Sequence, residues 1–195
     1  MVSWGLIARK QEMTSVWVDG KYVPVTVLLV PQQEVVQWKT EDNDWYNAVV
    51  LWAEKKELKK EKWRKVSYSF MTEFRDLAFS DTWTPSVEQL QDIASVRISG
   101  VSKWKWFQWW MKRHNFAWGP ASHGSKFHRA LWSTGNRKPR RTIKWQKMAW
   151  RMWWDRVTLK SVPVVDVVKN GNEQLVMVKW SIPWSYNSFV TLSIV

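Results

Sequence analysis

The chain has 195 residues and no cysteine, which excludes a disulfide framework, cysteine-ligated zinc and thiol catalysis. Glycine is scarce, with 7 residues where ordinary usage of roughly 7% would give about twice as many. Acids are scarce too: 17 stand against 30 Lys and Arg, for a formal charge of +13. A balance of this sign points to a polyanionic partner, nucleic acid first and an anionic membrane surface second. Long hydrophobic runs are missing. The longest, Val23–Val30, has the length of a strand and cannot span a bilayer. The opening MVSWGLIARK lacks the apolar stretch of a signal peptide. A soluble, intracellular chain of one or two domains is expected.

The shortage of acids is concentrated in one place. Arg97–Lys160 carries 16 Lys and Arg and a single acid, Asp155, whereas the rest of the chain has 14 basic and 16 acidic residues. A net +15 therefore sits in one segment, mounted on a near-neutral body. That segment also holds all three histidines.

The body reads as mainly β. Ser15–Val30 forms a hairpin about Asp19-Gly20, a type I′ turn signal, and Pro24 gives the second strand a free edge or bulge near its start. Val35–Lys39 and Ala48–Ala53 are strand candidates separated by the polar turn Glu41–Asp44. Glu54–Lys65 is dense in Lys and Glu and reads as an exposed helix or a solvated connection; Ser67–Phe79 shows no decisive pattern. Thr84-Pro85 offers an N-cap and an N1 proline for a helix through Ile93. Val96–Ser99 is a strand leading into the basic segment. Arg156–Lys169 and Leu175–Ile182 form a second hairpin about Asn170-Gly171, and Phe189–Val195 is a last strand. Short strands on both sides of the basic segment suggest a small barrel built from 1–96 and 157–195, with a variable, partly helical 54–94 region. Residues 97–156 are then a long insertion. A segment this polar is expected to be extended and ordered mainly by its partner.

Enzymatic chemistry finds no support. His114, His123 and His128 lack a metal-ligand spacing, no serine has a His/Asp constellation, and no glycine-rich loop precedes a helix. One acid in the basic segment rules out paired-carboxylate catalysis there. No cofactor, metal or small-molecule substrate is implied. What remains is Lys103, Lys105, Lys112, Arg113, Lys126, Arg129, Arg137, Lys138, Arg140, Arg141, Lys144, Lys147 and Arg151, interleaved with Gly, Ser, Asn and Pro. Such cations neutralise phosphates and release counterions. Composition alone leaves an arm that threads folded RNA and a disordered, nonspecific basic arm equally open.

The stretch KWKWFQWWMKRHNFAWGPASHGSKFHRALWSTGNRKP resembles the most characteristic segment of the universal large-subunit ribosomal protein three family in its bacterial form. The resemblance rests on Ser102, Lys103, Lys105, Phe107, Lys112-Arg113, Ser122-His123-Gly124, His128-Arg129, Gly135 and Lys147-Met148-Ala149. It extends to Met13-Thr14 and Val23–Val27 near the start and to Val178, Lys179 and Pro183 near the end, and is weakest over 55–94. It implies a β-barrel of the translation-protein type with an rRNA-binding extension directed towards the peptidyl transferase centre. It also implies early-assembly, structural work without catalysis, in the cytoplasm, with ribosomal proteins fourteen and nineteen as neighbours. His123, His128 and Asn136 would join the basic residues in the extension, where backbone and RNA pack closely. Asn136 stands where some members carry a methylated glutamine, so that modification is not transferred.

The departures run in one direction. Trp45, Trp52, Trp104, Trp106, Trp109, Trp118, Trp132, Trp145, Trp150, Trp153, Trp180 and Trp184 stand where the family has glycine. Restoring them gives 19 glycines and leaves 7 of the 19 tryptophans. A source that reads UGA as glycine, translated with UGA as tryptophan, would produce this pattern. Tryptophans stacking on RNA bases are the alternative. Two rival functions also follow from composition: a basic nucleic-acid-binding protein outside the ribosome, and a membrane-active Trp/Lys-rich protein. The second needs an amphipathic helix over 103–118, and the Gly, Pro and His residues beyond Trp118 fit it poorly.

Overall fold

The computed structural model describes residues 5–57, 66–75, 85–170 and 173–194. The chain divides into two compact units, one formed by Met1–Ser102 with Arg156–Val195 and the other by Lys103–Asp155. In the first, β1 (Gly5–Val18) and β2 (Lys21–Val30) make the expected hairpin. Asp19 and Gly20 have φ of 48° and 76°, the pair of positive values that a type I′ turn requires. From there the pairing runs β2 to β10 (Glu173–Lys179), to β9 (Arg156–Asn170), to β6 (Ser95–Val101), to β11 (Phe189–Ile194) and back to β1. Every pairing in this ring is antiparallel.

The interior of the ring is filled by alternate residues, as the two-residue period of a strand dictates. Leu6 and Ala8 come from β1, Leu28 and Val30 from β2, Val96 and Ile98 from β6, Val176 and Val178 from β10, and Val190 and Leu192 from β11. Ile7, between two of these, belongs to a second core with Val49, Leu51, Ala53 and Phe74. That core lies under a three-stranded antiparallel sheet of β3 (Gln33–Lys39), β4 (Ala48–Glu57) and β5 (Val66–Arg75). The start of β1 carries no polar side chain from Gly5 to Ala8 because both of its faces are buried.

β2 pairs with β1 only as far as Leu29 opposite Arg9. Gln33 takes over the next position: its side-chain amide donates to the Ile7 carbonyl and accepts from the Ile7 N–H, both at 2.9 Å. Lys10 is 95% covered although it is a lysine, and its Nζ donates to the carbonyls of Ile182 (2.6 Å) and Trp184 (3.0 Å). Both main-chain acceptors lie in the loop before β11, which this amine ties to β1.

The structure differs from the sequence reading in several places. Strand β4 continues through Glu57, pairing Lys55–Glu57 with Val66–Tyr68, so the start of the expected helix or solvated connection at Glu54–Lys65 is strand. Pairing with β5 decides here over a Lys/Glu composition that suits a helix; residues 58–65 lie outside the described set. The undecided Ser67–Phe79 stretch is β5 as far as Arg75. The polar turn Glu41–Asp44 is a single helical turn, α1. Thr84 lies outside the described residues, and the helix expected after it is a short 3-10 turn, Val87–Leu90, capped by Ser86 Oγ accepting from the Glu88 N–H. Its Val87 and Leu90 are both fully buried in the ring core. Gly171 of the second hairpin turn also lies outside the described residues. The expected insertion boundaries, 97 and 156, fall within β6 and at the start of β9.

Two predictions follow from these contacts. Gln33→Leu leaves the N–H and C=O of buried Ile7 without their partner, and should cost about 1–3 kcal/mol. In urea the unfolding midpoint should fall with an unchanged slope; an unmoved midpoint refutes the role of the clip. The second concerns Glu73, whose carboxylate accepts from Lys39 Nζ and from Arg75 Nε, each at 2.7 Å. These bonds lower its pKa from 4.5 to about 2. The ionised form is therefore favoured by folding, and its contribution is complete above the ordinary carboxylate value and lost as pH falls towards about 2. Glu73→Gln should flatten the pH dependence of the urea midpoint in that interval.

Candidate nucleic-acid interface

The second unit, Lys103–Asp155, has 13 Lys and Arg and one acid. One carboxylate cannot neutralise thirteen cations, so their field must be met by solvent counterions or by a polyanion. None of its residues is buried. The unit thus lacks the apolar core that ordinarily outweighs the conformational entropy of ordering a chain.

Local geometry comes from a few short elements and main-chain anchors. β7 (Lys105–Gln108) pairs with β8 (Trp150–Met152), and α2 (Trp110–His114) follows β7. These elements were not expected in a segment read as extended. Asn115 ends α2 with φ 56°, the left-handed cap that asparagine tolerates. Arg113 Nη1 donates to the Met148 carbonyl at 2.6 Å, and His114 Nε2 is 3.1 Å from the same oxygen. Further on, the chain crosses itself: the Gly119 N–H donates to the His128 carbonyl at 3.1 Å, and His128 Nδ1 lies 2.8 Å from the Pro120 carbonyl. Only glycine fits at the crossing, since a Cβ on Gly119 would sit 1.8 Å from the Phe127 carbonyl oxygen. Ser133 Oγ bridges the carbonyl and the N–H of Gly135.

All sixteen expected contact residues are exposed: the thirteen Lys and Arg, His123, His128 and Asn136. They are not gathered into one pocket. Lys103, Lys105 and Arg151 lie on or beside the β7–β8 ribbon, Lys126, His128 and Arg129 flank the crossing, and Arg137, Lys138, Arg140, Arg141 and Lys144 follow it in an irregular run. Such a spread suits many separate phosphate contacts. Four carry internal duties that sequence reasoning missed: Arg113 anchors α2, His128 meets the Pro120 carbonyl at the crossing, Arg129 lies 4.4 Å over the Trp118 ring, and Arg151 stands over Trp106 at 4.5 Å and Trp153 at 5.2 Å. Apart from the half-buried Trp110, the indoles are exposed as well, from 41% at Trp153 to 98% at Trp145. Among the described residues no group of three or more His, Asp or Glu is placed to hold a metal ion, and no helix is long and apolar enough to cross a membrane.

No protein-family model matches the chain. Among curated proteins it is similar to large ribosomal subunit protein uL3 of Borrelia hermsii, with 37% identity over 95% of this chain and 94% of the relative. The corresponding protein of Deinococcus radiodurans is 37% identical over 96% of this chain and 93% of its own length. That of Streptococcus pyogenes is 33% identical over 96% and 95%. The alignments therefore include the basic unit as well as the β body.

The crossing gives a test in the free protein. Gly119→Ala should force the two backbones apart, and trypsin should then cleave after Lys126 and Arg129 faster than in the parent chain. Unchanged cleavage would show that the crossing does not persist in solution.

Proposed function

The chain belongs to the uL3 family of large ribosomal subunit proteins, and on that premise we propose that its second unit is the part that holds ribosomal RNA. The protein is a structural constituent of the large subunit and performs no chemistry of its own. The ring of six strands acts as a translation-protein-type barrel, and the segment 97–156 lies against large-subunit rRNA, near the peptidyl transferase centre, from early in assembly. Proteins fourteen and nineteen are its protein neighbours. The observation that carries this reading is the pairing of thirteen cations with one acid in a unit that buries nothing. RNA phosphate supplies the missing counter-charge, and packing against RNA supplies the missing core.

The same reading extends to the tryptophans. We infer that the twelve at family glycine positions are glycines in the living protein, through UGA decoding. Backbone geometry supports this at three of them. Trp45, Trp145 and Trp180 have φ of 68°, 65° and 71°, a region that bulky side chains rarely adopt and glycine adopts freely. Trp45 ends α1 in the left-handed conformation, where helices most often end on glycine. Trp45 and Trp145 are also 93% and 98% exposed, so their large apolar rings find no burial. Trp184 stands apart. It is fully buried in the ring core, yet its Nε1 has no hydrogen-bond partner there.

Two measurements test these readings. Neutralising Arg137, Lys138, Arg140 and Arg141 together should reduce entry into large subunits on a sucrose gradient while leaving the β signal in circular dichroism unchanged. Normal comigration in that variant refutes the RNA-anchoring role, and a parent chain that binds nucleic acid but never comigrates favours the non-ribosomal alternative. For decoding, the tryptic peptides of native protein that begin at residues 145 and 180 should have the masses of glycine at 145, 180 and 184. Indole masses at 145 and 180, or UGG codons at 104, 106 and 109, overturn the glycine reading.

A further inference from the structure

The six strands of the ring each have two neighbours, whereas the three-stranded sheet ends in two edges, β3 and β5. The β3 edge is blunted. Its register slips between Val35 and Gln37, it carries Glu34 and Lys39, and its first residue, Gln33, is engaged with the main chain of Ile7. β5 has none of these defences. It runs for 10 residues with no proline, no lysine and no shift in its register against β4. Its two charged residues, Glu73 and Arg75, are bonded to one another. Among the described residues no strand pairs with its outer side.

Apolar side chains stand along this edge on both faces of the sheet. Met71 is 60% exposed on one face. On the other, Phe70 stacks on Phe189 with centroids 5.0 Å apart and stays half-buried, at the rim of the core that Phe74 fills. A further strand beside β5 would cover Phe70 and continue that core.

Charge selects the occupant. Six acids and three lysines lie in 33–57, and β5 adds Glu73 and Arg75, so the sheet and its connections carry a net −3 within a chain of +13. Near the end of β5, Arg75 stands 4.5 Å over the Tyr46 ring and Lys39 stands 5.1 Å from it. These contacts bring the α1 turn beside the edge. Glu41, Asp42 and Asp44 of α1 together with Glu73 make four acids against Lys39 and Arg75 there. Such a field repels a polyanion, and a second copy would bring the same acids to the same place. A cationic, extended protein segment suits both the open main chain and the field.

We propose that the outer edge of β5 is a strand-addition site for a cationic, extended segment of a neighbouring large-subunit protein. The site rests on the reading of the chain as a large-subunit constituent, and is independent of how the tryptophan positions are decoded. Main-chain groups of β5 supply the hydrogen bonds, Phe70 and Met71 receive apolar side chains on alternate positions, and Lys or Arg of the added segment meets the acids of α1.

The test places photoreactive benzoylphenylalanine in the full chain at Ser69 or at Met71, both exposed. Large subunits containing the chain are isolated on a sucrose gradient and irradiated. The expected product is an adduct with another large-subunit protein, through a peptide in which Lys and Arg outnumber Asp and Glu. A second arm combines Ser69→Lys with Met71→Lys. Lysines on an edge oppose strand addition and repel a cationic strand, so retention of the cross-linked protein on subunits washed in concentrated KCl should fall about tenfold. Unchanged retention overturns the proposal. So does an adduct with rRNA, with a second copy of the chain or with a peptide lacking the excess of Lys and Arg, and so does the lack of a protein adduct from both positions. A chain that never enters large subunits refutes the large-subunit reading and the site with it, whereas entry without the adduct refutes the site alone. Thermal melts of the β signal confirm that the double-lysine chain keeps its sheets.

Discussion

The first four residues of β1 are committed on both faces and on both edges. Leu6 and Ala8 fill the ring, Ile7 fills the second core, β11 pairs along one side, and the Gln33 amide takes the main chain of Ile7 on the other. Most of the first unit is consistent with that constraint. The ring closes through β1 because β2 and β11 both pair with it, and the three-stranded sheet has a place to bury Leu51 and Phe74 because Ile7 points to it. A one-residue slip of β1 would exchange Ile7 for Leu6 and Ala8 and present the wrong set to each core at once. Register is therefore fixed here more firmly than in the outer half of the hairpin, where Trp17 and Tyr22 face solvent.

The second unit obeys a different physics. Its conformation is set by main-chain bonds and close crossings, with Met148 and Pro120 carbonyls as fixed points, and hydrophobic burial contributes little. Net charge of one sign works against any compact state of this unit alone. The two units thus differ in kind: one is stable by virtue of its core, and the other displays its cations without one.

Much of the first unit was legible because its strands follow simple alternation. Asp19-Gly20 announced its turn, and the valines of β9 and β10 announced their pairing across the second hairpin. What escaped was decided by contacts distant in sequence. Lys55–Glu57 looks helical in composition and is held as strand by residues 66–68. Gln33 reads as an ordinary polar residue, and only the place where β2 stops pairing gives it a role. In the second unit the charged positions were legible one by one, since exposure is the default for Lys and Arg. The β7–β8 ribbon was not, because its strands are only 4 and 3 residues long and their pairing joins Lys105–Gln108 to Trp150–Met152, far apart in sequence. Arg113, Arg129 and Arg151 were legible as cations and illegible as braces, for a brace is defined by its partner.

The clip at Gln33 also bears on life outside the assembled particle. An unpaired stretch of strand main chain is a template on which another extended chain can add. At Ile7 a single side-chain amide occupies both hydrogen-bonding groups that such an intruder would need. One glutamine thereby does at Ile7 what the facing residue of an extra strand would otherwise do, and leaves that position of β1 closed to pairing.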